Sequence, residues 1–534
     1  MRSLPYILAS IVFMGLYAST FAQTELEALL YSRTTVTGSA RAQGMAGAFS
    51  AVGADMTSAT LNPAGLALYR RSEFTLTPAF RVASTDADYL DGASSNSSNN
   101  FTLNGFSLAF SNPRYNRRGE QVEKGLKSFT FAFGYNQIEN FEQKARVSGF
   151  NSRSSISDVF SERAQGTPVN DLFDGFGDPF AILAWNAFAI NPLIDSDDQY
   201  YPAVNGGNVQ QTVELAESGR INEWFISLAG NVSDVFYIGA TVGIRSLRYE
   251  RDLALIEEDI NNVHDDFFDD PSQGLVFPMN RLDYNNNFLT EGSGVNGQLG
   301  IIIRPSDVFR FGVSLQSPTY YSLRDFFDDN DTQLSHDFTI DLDTGRDTLA
   351  FSTLNAGEFA YQLTTPFRAT AGAMYLIGKK GFVSLDVDFT NYTNAQFESD
   401  LPVTDPNFYA YDIENRNINE LFDMALNYRL GAEFRFDALR VRGGAALFSS
   451  GLTEEAKAYQ DAGLVSQSID NDRMLYALGL GFRQPKYFLD VSFIYQDQDD
   501  KLSPYGLGSS SVFSPTLVTN RKTSRVALTL GLNF

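Results

Sequence analysis

The last ten residues of the chain, "RVALTLGLNF", alternate between large apolar and small or polar side chains. The apolar face carries Val526, Leu528, Leu530, Leu532 and Phe534. Because successive side chains of a strand point to opposite faces, this pattern predicts a β-strand with one apolar face. In a soluble sandwich that face would point into the core, whereas in an outer-membrane β-barrel it would contact lipid.

The same alternation recurs in "SFTFAFGYNQ", "FRFGVSLQ" and "FVSLDVDFTNY", and in the last of these Asp386 and Asp388 oppose an apolar face. Charges in mid-strand would be costly in a sandwich core but suit a water-filled lumen, which favours the barrel. Eight charged residues are predicted to line such a wet lumen: Asp386, Asp388, Arg429, Glu433, Arg435, Arg440, Arg442 and Asp490.

Tight turns near 233–234, 305–307, 378–381, 437–438 and 484–486 alternate with long segments, such as 85–100, 149–221 and 323–357. Short periplasmic turns and long outer loops are typical of outer-membrane barrels. Counting strands between these connections predicts an all-β fold, a transmembrane antiparallel β-barrel of about 14 strands. An even number of strands places the C-terminal Phe534 on the periplasmic side. An aromatic residue at the C-terminus resembles the assembly signal of such barrels.

The composition agrees with this fold, and the N-terminal residues indicate the cellular compartment. Aromatic residues make up 13% of the chain and charged residues 19%, with no cysteine. The start, "MRSLPYILASIVFMGLYASTFAQ", predicts a signal peptide over residues 1–22, and its apolar run is shorter than the roughly 20 residues of a membrane anchor. We therefore expect export to a Gram-negative outer membrane.

The net charge of −24 disfavours nucleic acid as a partner. The acidic outer loops are either simply solvated or bridged by divalent cations to lipopolysaccharide.

A barrel of about 14 strands is too wide for its own side chains to fill, so a plug or an open pore is expected. The segment before the first strand contains the small-residue run "GSARAQGMAGAFSAVGAD". Small residues such as Gly44, Gly47 and Ala48 permit close backbone packing inside a lumen. The chain is therefore predicted to divide into a hatch over residues 23–71 and a barrel over residues 72–534.

The stretch "RAQGMAGAFSAVGADMTSATLNPAGLA", residues 41–67, resembles the N-terminal signature of the FadL/TodX-type outer-membrane hydrocarbon transporters. The resemblance implies a 14-stranded barrel occluded by an N-terminal hatch, with Asn62, Pro63, Ala64 and Gly65 as the hatch turn. It also implies capture of ligand between outer loops and sideways exit through a gap at the third strand, predicted over about residues 127–148, with a break after Gly134.

The longest loop contains the apolar stretch "DLFDGFGDPFAILAWNAFAINPLI". Either it forms a helix packed as a lid on its neighbours, or it offers a hydrophobic groove for first contact with ligand, and both can hold together. The residues predicted for ligand capture are Phe173, Phe176, Phe180, Leu183, Trp185 and Phe188.

Signals for an enzyme are missing. The two histidines, His264 and His336, lie in acidic outer loops and are expected to be solvated, so we predict no catalytic residue, cofactor or metal site. The leading hypothesis is a passive outer-membrane channel for small hydrophobic molecules, such as long-chain fatty acids or aromatic hydrocarbons. The alternative is a structural or partner-binding subunit of an outer-membrane secretion or assembly complex. Expected partners are membrane lipid or lipopolysaccharide, a hydrophobic ligand, and other outer-membrane proteins.

Overall fold

The computed structural model describes residues 25–193, 195–264, 268–270, 274–276, 279–328, 331–341, 346–405, 408–454, 456, 466–468, 472–505 and 515–534. The predicted signal peptide, residues 1–22, lies outside these ranges. Within them, no helix combines the length and the apolar character needed to cross a bilayer.

Fourteen strands of the described chain form a closed antiparallel wall, which confirms the predicted barrel. In the order in which they pair, they are β1 (Glu73–Tyr89), β2 (Gly92–Pro113), β3 (Leu126–Asn140), β7 (Val209–Val232), β8 (Phe236–Glu258), β11 (Met279–Ile303), β12 (Phe309–Gln316), β17 (Arg368–Ile377), β18 (Gly381–Asn391), β20 (Met424–Phe436), β21 (Leu439–Phe448), β23 (Arg473–Arg483), β24 (Tyr487–Ser503) and β25 (Leu517–Asn533). β1 pairs with β25 from Glu73↔Asn533 to Tyr89↔Leu517 and closes the wall. Closure of the wall by this pair removes the two free edges that an open sheet would have.

Shorter elements extend or fill this wall. The remaining strands are β4 (Gln143–Asn151), β5 (Ile190–Pro192), β6 (Tyr200–Pro202), β9 (Phe268–Asp270), β10 (Gly274–Val276), β13 (Tyr320–Phe327), β14 (Thr332–Asp341), β15 (Arg346–Thr353), β16 (Gly357–Thr364), β19 (Gln396–Ser399) and β22 (Ser466–Ser468). The helices are α1 (Glu25–Ser32), α2 (Ala40–Gln43), α3 (Ser58–Leu61), α4 (Ile156–Ala164), α5 (Val169–Phe173), α6 (Pro179–Asn186) and α7 (Asp412–Leu421), with 3₁₀ turns at Pro63–Leu68 and Tyr392–Asn394.

The alternation in the sequence becomes an apolar belt around the wall. On β25, Val526, Leu530 and Leu532 are exposed on the outside, whereas Ala527 and Thr529 are buried inside. The connections at the periplasmic end are short apart from residues 114–125 between β2 and β3. In one of the short turns Ser233 and Asp234 both adopt positive φ (58° and 57°), as in a tight hairpin turn. The predicted short turns are confirmed.

Two of the predicted long loops are instead strands. Residues 85–100 form a hairpin in which β1 and β2 are joined only by Leu90 and Asp91, and residues 323–357 contain β14 and β15. These strands extend above the apolar belt, where the outward side chains of β2 are Ser and Asn. The apolar alternation disappears because water, not lipid, contacts the outer face there, so the pattern could not reveal the strands.

Residues 25–69, called the plug below, lie inside the barrel. α2 contacts β23, β24 and β25, and the 3₁₀ turn Pro63–Leu68 contacts β7, β8 and β11 on the opposite side. Many plug side chains are fully buried, including those of Ala40, Met45 and Leu66. The predicted occlusion of the lumen by the N-terminal segment is therefore confirmed.

Residues 152–193 and 195–208, called the outer cap, cover the end of the barrel opposite Phe534. α4 and α6 pack on each other, and their buried Phe160 and Leu183 join an apolar cluster with Leu255 of β8 and Leu282 of β11. The cap is a folded unit built on the outer extensions of the wall.

Candidate functional site

The predicted hatch turn lies against the wall at its closest point. Asn62 caps the 3₁₀ turn by accepting a hydrogen bond from Ala64 N (3.2 Å), and its Nδ2 donates to Ser50 O (2.7 Å). Gly65 N donates to Asn62 O (2.9 Å), and Pro63 provides the fixed φ that starts the turn. These hydrogen bonds hold the turn in a compact conformation.

Glycines of the wall allow this approach. A Cβ added at Gly300 on β11 would lie 2.0 Å from Asn62 Oδ1, and one added at Gly239 on β8 would lie 2.4 Å from Pro63 C. Neither glycine was predicted from the sequence. Glycine at inward positions of neighbouring strands was the signal that could have found them.

The small residues predicted for hatch packing are also placed at close contacts. A Cβ at Gly44 would lie 3.0 Å from the Cα of Gly479, and Ala48 packs against Gly431. Gly47 adopts a φ of +75°, which L-residues rarely tolerate. These contacts explain why the run is rich in Gly and Ala.

The charges predicted to wet the lumen are mostly buried, and two of them, Asp386 and Glu433, bond directly to the plug, which corrects that expectation. Asp386 Oδ2 accepts hydrogen bonds from Phe49 N (2.8 Å), Ser50 N (2.8 Å) and Ser50 Oγ (2.7 Å). Six of the eight residues are buried: Asp386, Asp388, Arg429, Glu433, Arg442 and Asp490. The alternation identified the inward face, but only the fold shows that the plug, rather than water, covers it.

Glu433 is the centre of an ion-pair chain that connects the plug to the wall. Its Oε2 lies 3.0 Å from Arg41 Nε on the plug and 2.6 Å from Arg442 Nε on β21. Arg442 Nη1 continues the chain to Asp490 Oδ1 on β24 at 2.7 Å. Arg435, by contrast, is exposed, and Arg440 bonds to main-chain oxygens at the periplasmic turn.

An extended stretch of the plug is held by its main chain. Arg368 donates to Ser32 O (3.0 Å) and Arg473 donates to Thr34 O (2.9 Å). Arg525 donates to Val36 O. Because three wall arginines bind alternate carbonyl oxygens, the side chains of the residues between them are directed elsewhere.

The wall contains a break on one side. β2 pairs with β3 from Pro113↔Ser128 to Gly105↔Asn136, and beyond Asn136 neither β3 nor β4 has a ladder with β2. Contact resumes nearer the outer end, where Ser94 Oγ donates to Arg146 O (2.5 Å). Pairing thus ends two residues after Gly134, within the strand at which the resemblance to the transporter family implies a gap.

A partly open cavity lies inside this break between the plug and the wall. Its apolar part consists of Leu30 on α1, Ile138 and Phe141 beside the break, and Ile494 on β24. Phe141 makes edge-to-face contacts with Tyr31 (6.2 Å between ring centroids) and Tyr249 (5.1 Å). The rest of the lining is polar and includes arginines that the sequence analysis did not single out.

The six residues predicted for capture separate into two groups. Phe180 and Leu183 are buried within the outer cap, and Trp185 packs edge-to-face on Tyr200 (6.1 Å). Phe173 is 77% exposed, Phe176 is 60% exposed, and Phe188 is 45% exposed beside Phe338. The segment therefore forms a packed lid that still presents aromatic rings to the outside.

The expectation that both histidines are solvated is wrong for His336. Its ring is fully buried under the cap, with Nδ1 3.2 Å from Ala187 O, and burial lowers its pKa to about 4. His264 Nε2 lies 2.8 Å from Gly207 O. Strand β14 carries His336 inward, which the acidic surroundings in the sequence did not indicate.

Glu257, at the outer end of β8, fixes the cap to the barrel. Its buried carboxylate accepts hydrogen bonds from Ser155 Oγ (2.5 Å) and Ile156 N (3.0 Å) at the start of α4, and from Gln211 Nε2 (2.6 Å) on β7. Burial outweighs these hydrogen bonds and raises the pKa of Glu257 from its usual 4.5 to about 7.

We expect the docking of the cap to weaken as pH rises. The docked state holds the Glu257 proton more tightly than the undocked state does. Glu257 therefore stabilises docking fully below pH 4.5, and this stabilisation is lost as pH rises through about 7. The pKa difference corresponds to roughly 3 kcal/mol at most. Hydrogen exchange of the α4 amides at pH 5 and 8, corrected for intrinsic rates, measures it. Glu257→Gln should remove the pH effect, and Glu258→Gln, at a partly exposed ion pair, should keep it.

No protein-family model matches the chain, and neither does any curated protein. Among solved structures, it is similar to a FadL homologue of Pseudomonas aeruginosa, at 12% identity and a TM-score of 0.49 over 94% of this chain and 99% of the other. It is also similar to the toluene transporters TbuX of Ralstonia pickettii (13%, 0.46, 93% and 99%) and TodX of P. putida (9%, 0.47, 94% and 99%). At these identities the likeness is one of overall architecture.

Proposed function

We propose that the protein is a passive outer-membrane channel for small hydrophobic molecules, such as long-chain fatty acids or aromatic hydrocarbons. The observation that carries the proposal is the break between β2 and β3, which lies directly beside a cavity in an otherwise plugged barrel. A polar pore would need an open axis, whereas this barrel has its lumen occupied by the plug and its outer end covered by the cap.

The surroundings of the break suit an apolar molecule. Phe101 and Leu103 of β2 face the membrane next to it, and Ile138 and Phe141 lie on its inner side. A molecule that moves between cavity and bilayer at this point stays in contact with apolar side chains. Passage then needs no opening along the barrel axis, and movement of the plug would allow the molecule to leave the cavity.

Asn104 provides a test of the sideways route. Its buried side chain lies on β2 at the cavity, so Asn104→Trp should block the break and reduce uptake of radiolabelled dodecan-1-ol by intact cells to the level of cells without the protein. Asn112→Trp is the matched control, because that side chain is exposed near the periplasmic end of the same strand. Unchanged uptake by correctly folded Asn104→Trp protein would refute the route.

A partner-binding role is the second candidate, and the exposed rings of Phe173 and Phe176 favour it. A Phe173→Ser, Phe176→Ser double variant separates the two roles without disturbing the cap interior. Loss of uptake would assign these rings to ligand capture. Loss of co-purifying outer-membrane proteins in fixed ratio, with uptake unchanged, would assign them to a partner. Serine at Phe180 or Leu183 would be uninformative, because both side chains are buried in the cap.

A further inference from the structure

The cavity beside the wall break carries an excess of positive charge. Eight ionisable side chains line it together with the apolar residues described above: Arg33, Arg81, Arg473, Arg521, Arg525, Glu139, Glu217 and Asp500. Five guanidinium groups against three carboxylates leave two positive charges without a counterpart in the lining. Arginine remains charged in proteins, so the excess persists at any ordinary pH.

The carboxylates do little to neutralise the arginines. In the described chain, Arg521 is the one of the five within ion-pair distance of a carboxylate, at 3.7 Å from Asp500. Arg81 donates instead to Asn140 Oδ1 (2.8 Å), and Arg473 and Arg525 donate to main-chain oxygens of the plug. Desolvated guanidinium groups with only neutral acceptors are unfavourable unless an anion joins them.

Among the described residues, five buried donor atoms of the cavity lining have no hydrogen-bond partner. They are Arg33 Nη2, Asn104 Nδ2, Gln137 Nε2, Gln143 Nε2 and Arg525 Nε. Arg33 is 9% exposed and Gln143 is 1% exposed, so bulk water satisfies neither. Unpaired buried donors each cost free energy, and a set made only of donors calls for a ligand that offers only acceptors.

We infer that this cavity binds a phosphate group in its doubly charged form, as the head of an amphiphile whose tail follows Ile138 and Phe141 through the wall break. The path of the tail rests on the proposed function, whereas the head site rests on the charges and donors alone. A phosphate monoester supplies two negative charges and three acceptor oxygens, which match the two excess charges and the fork geometry of guanidinium groups. A carboxylate would leave one positive charge and more of the donors unmatched.

Titration calorimetry on the full-length protein in an uncharged detergent tests the head group. At pH 8, dodecyl phosphate should bind about tenfold more tightly than dodecanoate, a difference of about 1.4 kcal/mol. Arg33→Gln and, separately, Arg525→Gln should each reduce this preference by a similar factor, and Arg33→Lys should restore part of it. Arg248→Gln, at an exposed ion pair with Glu291, is the control and should leave binding unchanged. Equal binding of the two amphiphiles, or variants that bind like the parent, would overturn the inference.

Competition with inorganic phosphate shows whether the site binds the free anion or only the head group of a lipid. Displacement of dodecyl phosphate by millimolar inorganic phosphate would assign the site to the free anion as well, whereas failure to displace it would assign the site to a lipid head group. Uptake of uncharged dodecan-1-ol tests the channel separately: if Arg33→Gln loses phosphate binding but keeps dodecanol uptake, the head site and the channel both stand. Phosphate binding without dodecanol uptake by the parent would refute the channel and leave the head site in place.

Discussion

Glu433→Ala is expected to loosen the plug and to open an ion-conducting path through the barrel. Its carboxylate bridges Arg41 of the plug and Arg442 of the wall, so its loss leaves Arg41 without its carboxylate partner, whereas Arg442 keeps Asp490. Breaking a buried ion pair from one side costs about 3–5 kcal/mol, which is large compared with the stability of a typical domain. Thermal unfolding in detergent and conductance in planar bilayers measure the two effects.

Glu291→Ala is the matched control for this substitution. Glu291 also pairs with an arginine of the wall, Arg248, but both side chains are more than 40% exposed. Exposed pairs contribute about 1 kcal/mol or less, so this variant should unfold close to the parent and remain closed. If Glu433→Ala were also closed and as stable as the parent, the ion-pair chain would not be the anchor of the plug.

Gly300→Ala is expected to displace the turn at Asn62. The added Cβ would lie 2.0 Å from Asn62 Oδ1 and 2.9 Å from Pro63 Cδ, so the plug has to move away from the wall. Overpacking of this kind costs about 1–3 kcal/mol, and the polar contacts of Asn62 are lost in addition. A lower melting temperature and faster proteolysis of the plug on the periplasmic side should follow.

Gly297→Ala tests whether this effect depends on the contact with the plug. Gly297 lies on the same strand, but the nearest atom to an added Cβ is Ser317 Oγ at 3.9 Å, an ordinary contact distance. Its melting temperature should therefore stay near that of the parent. Equal destabilisation by both alanines would point to the strand itself, rather than to the plug, as the site of the damage.

The wall of the barrel could be predicted from the sequence because lipid imposes a period of two on every strand that crosses it. Strands above the belt were missed, as at residues 85–100, because neither of their faces has to be apolar. The Asn62–Gly65 turn was predicted through its resemblance to a known signature. Its contacts with Gly239 and Gly300 could not be predicted, because they depend on the register of strands that are distant from the turn in the sequence.

The cavity could not be predicted in the same way. Its lining combines Arg33 of the plug, Arg81 of β1, Gln137 of β3 and Arg525 of β25, which no local pattern connects. For the residues predicted to capture ligand, the local composition correctly indicated a lid or a groove. It could not indicate which side chains are buried, because the packing of the cap places Leu183 inside and leaves Phe173 exposed.

The extended stretch of the plug has a consequence for evolution. Its carbonyl groups at residues 32, 34 and 36 are the ones held by wall arginines, while the side chains of Arg33, Thr35 and Thr37 line the cavity. These three attachments therefore depend on the main chain, which every residue provides, although the hydroxyl group of Thr35 also donates to Glu139 of β3. The side chains of residues 33 and 37 line the cavity without taking part in the three attachments, so exchanges at these two positions would change the cavity lining and leave the attachments in place.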